Sequence, residues 1–567
     1  MFFLLLAAGS LQAVIPEAVT DGDCLNCHEG IEHIGKGHDF DCRACHLKRQ
    51  RQRVDSIQDH QFIIRNPSDP EHVDFFCGTC HQEEIKLINA SLHATAAGII
   101  NQTRYLWGAQ KAAYPPEYSA NSTLKPLPEA VPHPNSPKTL VDDFLRRKCL
   151  RCHIGTKGAE GIGLYRASGC ASCHVLYSDD GKYQGHDRAI DSEKAGYPIR
   201  HRFVRRIPLF QCLHCHNHNH VGGDYVGMFE HDYDKSYRSP VIEGYTAPRP
   251  YGLDYHYLAM DVHAERGMEC TDCHTKTDVM GTGTVYGYEA EVPKTQCSDC
   301  HGGFCQPTPN KAVANIKSEG EAFLFRSNTS GRKFKLALFS KDVVSHNIPQ
   351  HKEVRCGACH AQWSYQDYGL SVMRDDSPDY GKWARLLIQG DPYLEGFLRK
   401  ELNRVANQPP VSPDWLDGNM KPGIWYSGWR ARRWEFMPLG LDSKGKYAVL
   451  RPRYQYFVSY IDKNGDVVLD SVAPKRGDGK GVGWAFMPYR PHTISPVGRK
   501  CEGCHLNETA AGRGIFRANT CDSELFLPSP PAIDHMRLLN KKERDRLLRV
   551  TEEYRVKRFL DELTTTR

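Results

Sequence analysis

Ten times in this chain a pair of cysteines, two residues apart, is followed at once by a histidine. The sites are Cys24-Cys27-His28, Cys42-Cys45-His46, Cys77-Cys80-His81, Cys149-Cys152-His153 and Cys170-Cys173-His174. They recur at Cys212-Cys215-His216, Cys270-Cys273-His274, Cys297-Cys300-His301, Cys356-Cys359-His360 and Cys501-Cys504-His505. This is the attachment pattern of c-type haem: the thiols form thioethers to the haem vinyl groups and the next residue places an imidazole on the iron. The motifs consume 20 of the 22 cysteines and leave Cys305 and Cys521. Zinc also uses Cys-x-x-Cys pairs, but neither zinc nor disulfides demand a histidine directly after every second cysteine. The expected cofactor is therefore ten covalently attached haems c. The two leftover thiols fit either a Cys305–Cys521 disulfide or two inert cysteines.

A second ligand is needed on the far face of each iron. Ten of the 28 histidines are consumed by the motifs, so 18 remain. His38, His72, His263, His351 and His492 stand shortly before the next motif, and His93 and His186 each stand 12 residues after a motif histidine. With His60, His201 and His220 they make the set of ten candidate distal ligands. The run from Cys212 to His220 is dense in imidazole; His218 competes with His220 there, while His214 lies inside its motif and is a poor candidate. Methionine would raise the potential, but none of the ten stands in an obvious cytochrome loop.

Ten haems in 567 residues leave about 57 residues for each, so much of the core around the motifs is expected to be porphyrin. The fold class expected is mainly irregular and α, organised around stacked haems, with a small β-containing insert near the C-terminus. The 48 glycines and 34 prolines suit tight turns between cofactors. The formal charge of +5 misleads, because each haem adds roughly −1 when oxidised and −2 when reduced. Basic runs such as Lys48–Arg53 and Arg202–Arg206 read as propionate partners or solvated faces, and nothing points to nucleic acid.

Six segments divide the chain. Residues 1–13 are a short apolar run ending in small residues, read as a partial signal peptide. Residues 14–113 carry motifs one to three. Residues 114–137 hold seven prolines and form an extended linker. Residues 138–360 carry motifs four to nine. Residues 361–500 have no motif and include Trp383, Trp415, Trp425, Trp429, Trp434 and Trp484. Asp391–Asn407 reads as a helix with Leu394, Leu398 and Leu402 on one face. Tyr447–Val472 reads as β, with a hairpin at Asp462-Lys463-Asn464-Gly465 and a second turn at Ser443–Lys446. Residues 501–567 carry motif ten and an amphipathic helix over Lys541–Leu563. No mature stretch approaches the length of a membrane span.

The repeated motif and the histidine surplus resemble those of multihaem c-type cytochromes, here with ten sites. The segments Ser345-His346-Asn347-Ile348-Pro349-Gln350-His351 and Pro491-His492 are similar to pieces of large respiratory cytochromes. The resemblance implies an exported protein, periplasmic or at the cell surface, in anaerobic respiration. It would pass electrons along closely packed bis-histidine haems, with other cytochromes or a membrane quinol-oxidising complex as partners and no catalytic residue of its own. Two alternatives stand beside it. One is a multihaem reductase of a small nitrogen or sulfur oxyanion with one five-coordinate haem; all ten motifs end in His, so the lysine-bearing motif of the nitrite reductases is absent. The other is a filament-forming extracellular cytochrome.

Overall fold

The computed structural model describes residues 24–48, 54, 56–218, 220–231, 251, 253–310, 313–380, 394, 410–435, 438–453, 455–512, 532–533, 536–549, 556 and 560. Helix takes 28% and strand 18%, so the chain is a mixed α/β protein with several small sheets and a C-terminal half-barrel. The strand share exceeds what the motifs alone suggest, because the region after motif nine is a substantial β body.

The motif-bearing part is built from short pieces. Six motifs sit on single helical turns: Cys42–His46, Ala171–His174, Cys270–Cys273, Cys297–His301, Cys356–His360 and Glu502–His505. A helical turn places residues three and four apart on one face, which gathers the second thiol and the imidazole beside the first thiol. Local caps start some of these turns. Asp41 accepts from the Arg43 N–H, and Glu269 and Asp272 form a reciprocal cap ahead of Cys270.

Three longer helices anchor this part. Gly78–Ala90 carries the end of motif three, Ala97–Leu106 follows it, and Pro137–Arg147 leads into motif four. In the third, Pro137 takes the first helical position, where its missing N–H costs nothing. Leu140, Val141, Phe144 and Leu145 form its buried face. The proline-rich stretch before it is extended, with a short parallel pairing of Tyr118–Ser119 to Lys125–Pro126. Leu127 and Ser119 are buried within it, so the stretch packs on the body.

Among the described residues the β body has nine strands: β1 (Ser364–Asp375), β2 (Ile424–Glu435), β3 (Leu439–Asp442), β4 (Tyr447–Arg453), β5 (Gln455–Ile461), β6 (Val467–Val472), β7 (Ala485–Tyr489), β8 (Ala532–Ile533) and β9 (Met536–Leu538). One sheet runs β2-β1-β5-β6 and the other β8-β7-β4-β3-β9. A single residue separates β4 from β5, so one length of chain leaves the second sheet and enters the first. The hairpin expected at Asn464-Gly465 is present: β5 pairs antiparallel with β6, and Gly465 has φ +88°. The turn at Ser443–Lys446 joins β3 to β4, with Gly445 at φ +71°. Both glycines take the left-handed backbone that only glycine adopts cheaply.

The largest apolar cluster joins this body to the longer helices. Ile100, Leu106, Trp107, Leu140, Val141, Phe144 and Leu145 pack with Val372, Trp425, Tyr456 and Val458. The expected helix over Asp391–Asn407 lies outside the described residues apart from Leu394, which is helical and buried. Of Lys541–Leu563, residues 541–549 are helical, and Leu547 packs against the cluster around Leu439 and Val449. No helix among the described residues is long and apolar enough to cross a membrane.

Candidate metal centres

Eight motif histidines face a second, non-motif histidine at nearly constant separation. The ring centres lie 6.2 Å apart for His28 and His60, 6.0 Å for His46 and His201, and 6.0 Å for His81 and His38. They lie 6.0 Å apart for His216 and His93, 6.2 Å for His274 and His492, and 5.9 Å for His301 and His263. For His360 with His346 and His505 with His351 the separations are 6.2 and 6.3 Å. The interplanar angles range from 12° to 84°. A stacking preference would narrow the angle; a shared axis with free rotation fixes only the separation.

Twelve of the sixteen facing imidazoles have a partner on the outer nitrogen, whereas the buried Nδ1 of His492 has none among the described residues. The Nδ1 of His46 bonds the Ile64 carbonyl, that of His60 the Ser56 carbonyl, and that of His201 the Glu32 carbonyl. His93 bonds Val279, His301 Ala337, His346 Ser340, His351 Ser345, His360 Ser495 and His505 Leu547, all through carbonyl oxygens. Carbonyls only accept, so each Nδ1 carries the proton and Nε2 keeps its lone pair. At three imidazoles a carboxylate takes this place: His28 bonds Asp187 at 2.7 Å, His263 bonds Asp261 at 2.7 Å and His274 bonds Asp278 at 2.8 Å. Such outer partners orient a ligating imidazole and raise its basicity. Burial, with His93, His274 and His492 nearby, lowers His216 to about 3, and burial with His274 nearby lowers His492 to about 4. Both rings are therefore neutral, the state a metal needs.

Seven of the ten distal candidates thus stand opposite a motif histidine: His38, His60, His93, His201, His263, His351 and His492. The others are placed differently. His186 is exposed, and its neighbour Asp187 is what reaches His28. His220 is buried with its ring edge-on to Tyr489. His72 lies one turn past Asp69, in a segment docked on motif five: the Cys170 N–H donates to the Ser68 carbonyl and Ser168 bonds Asp69. His346 faces His360 and was not among the candidates. Its segment Ser345–His351 supplies two facing imidazoles, and only the second was expected. His214 is held on both nitrogens by the carbonyls of Gly163 and Tyr177, as its place inside a motif suggests.

The facing histidines come from distant segments. His93 follows motif three yet faces motif six, and His492 precedes motif ten yet faces motif seven. Cysteines of different motifs also meet. Cys152 and Cys215 hydrogen-bond each other, as do Cys212 and Cys270, and Cys297 and Cys356. Cys77 lies near Cys45 and Cys170, Cys173 near Cys212, Cys273 near Cys300, and Cys359 near Cys504. His28 lies near His46. The motifs therefore follow one another in space as one, two, three, five, six, seven, eight, nine, ten, with motif four beside motif six. Burial pushes the thiols of Cys77 and Cys300 up to about 11 and those of Cys273 and Cys359 to about 12. An unmodified thiol at these places is protonated, unlike a thiolate metal ligand.

Among the described residues, the one group of three His, Cys, Asp or Glu side chains close enough to share an ion is Glu129, Asp414 and Asp417. Lys421 and Arg146 each already pair with all three carboxylates. Cys305 is exposed and unbridged, and Cys521 lies outside the described residues. No protein-family model matches this sequence, and neither a curated protein nor a solved structure matches it.

Proposed function

We propose that the chain is a decahaem c-type cytochrome that carries electrons along a row of covalently held haems, most of them ligated by two histidines. The observation that carries this reading is the set of eight facing imidazole pairs, each joining one motif histidine to one histidine from elsewhere. An imidazole–metal bond of about 2.0–2.1 Å, plus roughly 1.1 Å from the nitrogen to the ring centre, on both sides of a metal gives a separation of about 6.2 Å. The pairs span 5.9 to 6.3 Å. A direct hydrogen bond or van der Waals packing between rings has no reason to hold all eight at this value.

When bound, the haem iron supplies a one-electron couple. The chain's own residues do the rest. Each Cys-x-x-Cys pair tethers the macrocycle, and each following histidine offers a neutral Nε2. The Nδ1 partners hold the rings in register and tune their basicity. Because the two imidazoles of a pair come from remote segments, ligation ties the motif turns to one another and sets the spacing between neighbours. The spatial succession of motifs supports a continuous path from motif one to motif ten. The exported location, the partner cytochromes or quinol-oxidising complex, and a role in anaerobic respiration belong to the same reading.

Intact mass of the matured protein tests it first. The expected value exceeds the polypeptide by ten haem masses, and nine or fewer would mean that a motif is a decoy. A chemically reduced sample should also discharge rapidly into a bulky impermeable oxidant such as a foreign cytochrome. Failure to do so with ten haems present would remove the carrier function and leave the cofactor assignment standing.

A further inference from the structure

Residues 200–206 form a strap laid across three motifs. The His201 N–H donates to the Glu32 carboxylate at 3.1 Å, and the Phe203 N–H donates to the Ile34 carbonyl at 2.7 Å. The Val204 N–H donates to the His174 carbonyl of motif five, and the Val204 carbonyl accepts from the His174 ring. Two side chains are turned to the imidazoles. His201 faces His46 of motif two, and the Phe203 ring lies 5.5 Å from that of His38, which faces His81 of motif three.

The other side of the strap is cationic. His201 and Phe203 are half-buried, whereas Arg200, Arg202, Arg205 and Arg206 are exposed. None of these four guanidiniums meets a carboxylate among the described residues. Exposed arginines elsewhere do, as Arg188 pairs with Glu29 and Arg537 with Glu543. The carboxylates nearest the strap are engaged: Glu32 accepts from Tyr183, His186 and His201, and Asp39 pairs with His33. Lys36, two residues past Ile34, is a fifth exposed cation without a carboxylate. Like charges gathered on one strip repel one another, and a ligand of opposite sign relieves that repulsion. A guanidinium offers a flat fork of donors that matches a carboxylate two bonds at a time.

We propose that this strap is a docking surface for an acidic redox protein, whose carboxylates pair with Arg200, Arg202, Arg205 and Arg206. Its role in electron exchange rests on the carrier reading above; the binding does not. Placement favours a protein over a lipid surface or a nucleic acid. The inner side of the strap meets the imidazoles of motifs two, three and five, so a cofactor carried by the partner would come close to three sites at once. The same charges would steer the encounter and make it sensitive to salt.

Calorimetric titration of the matured, haem-loaded chain with flavodoxin, a small acidic flavoprotein, tests the proposal. Flavodoxin should bind the parent at low ionic strength, and added salt should weaken binding by about tenfold or more. Replacing Arg200, Arg202, Arg205 and Arg206 together by Gln should weaken it by about tenfold or more at low salt and flatten the salt dependence. Replacing four exposed lysines elsewhere, Lys317, Lys335, Lys341 and Lys463, by Gln removes the same charge and should change binding less than about twofold. Equal losses in the two variants, or a parent that does not bind flavodoxin, would overturn the proposal. So would a strap variant that binds flavodoxin normally but shifts one haem potential, since its arginines would then be propionate partners. Phosphatidylglycerol vesicles that need the strap, where flavodoxin does not, would assign it to a membrane surface instead. Should the fourfold change disturb His201, Arg205→Glu with Arg206→Glu lies past that ligand and should weaken binding by about tenfold or more. Flavodoxin hydroquinone separates the two readings: each molecule can give one electron and become the semiquinone. If it binds through the strap yet passes no electron to the chain, the docking surface stands and the carrier reading falls.

Discussion

The motif-bearing region and the β body bury themselves by different means. Around motifs five and six the apolar clusters are small: Ala171, Val175 and Tyr177 in one, and Leu213, Met228, Tyr251, Leu253 and Tyr255 in the other. The β body has a core of its own. Val458, Ile424 and Leu450 are fully buried, Trp425 and Trp484 are 2% exposed and Phe486 is 1% exposed. The helices Ala97–Leu106 and Pro137–Arg147 belong to this second core, although they lie between motifs three and four in the chain. The difference teaches that the two regions depend on different partners. The β body and its two helices are stabilised by side chains. The motif turns, four to five residues long, need something else in their midst, and on the proposed reading that is porphyrin.

The largest expected effect comes from withholding haem. Chain made without attachment should lose protease resistance across residues 24–94 and 149–360, while a fragment built from the β body and its two helices survives. Limited proteolysis with mass identification of the fragments would read this out. Equal resistance in both regions would break the comparison. Next in size, Leu140→Ala removes a fully buried side chain from the shared core and should cost about 2–5 kcal/mol. Denaturant unfolding followed by tryptophan fluorescence should show it, with haem absorbance unchanged in the native state.

Asp224 lies on the seam between the regions, where the Tyr489 hydroxyl donates to it at 3.0 Å. Burial pushes its carboxyl up to about 7. The folded state therefore holds the proton more tightly than the unfolded chain, whose aspartate titrates near 3.8. The neutral carboxyl favours folding below pH 4, and this advantage is lost as pH rises towards 7. The melting temperature should fall between pH 4 and pH 7 by more in the parent than in Asp224→Asn. Parallel curves would show that the seam is solvated.

A smaller effect should appear at motif one. Asp187, with no exposed side-chain surface, accepts from His28. Asp187→Asn should weaken the ferric preference of that haem by about tenfold, raising its potential by about 59 mV for one electron. Spectroelectrochemical titration would detect one component moving and nine standing still. The smallest change belongs to the hairpin. Gly465→Ala forces a side chain into φ +88° and should cost roughly 1–2 kcal/mol without altering haem content. Loss of several haems would mean that β5 and β6 scaffold the motif region.

Much of the β body was legible because its cues are local. The apolar runs within Tyr447–Val472, with Asn464-Gly465 between them and Gly445 before, specify strands and turns within a dozen residues. The closure of the half-barrel was not legible. It depends on β1 pairing parallel with β5, where Gly369 meets Gln455 86 residues later, which nothing near either strand encodes. The histidines divide in the same way. Placement beside a motif drew attention to His38, His263, His351 and His492, but each faces the motif histidine of a different site. His346 was missed because its neighbour His351 met the same rule.

The sequence by itself determined the cofactor chemistry expected, the ten motifs that would attach it and the local turns, since thioether and ligand positions within a motif are set by covalent spacing. Only the tertiary structure decided which imidazoles meet. Pairs such as His274 with His492 are joined across hundreds of residues, where chain spacing carries no distance information. It likewise decided that motif four lies beside motif six while motif three lies beside motif five. That arrangement depends on how the Pro137–Arg147 helix docks against the β body and delivers Cys149 at its end.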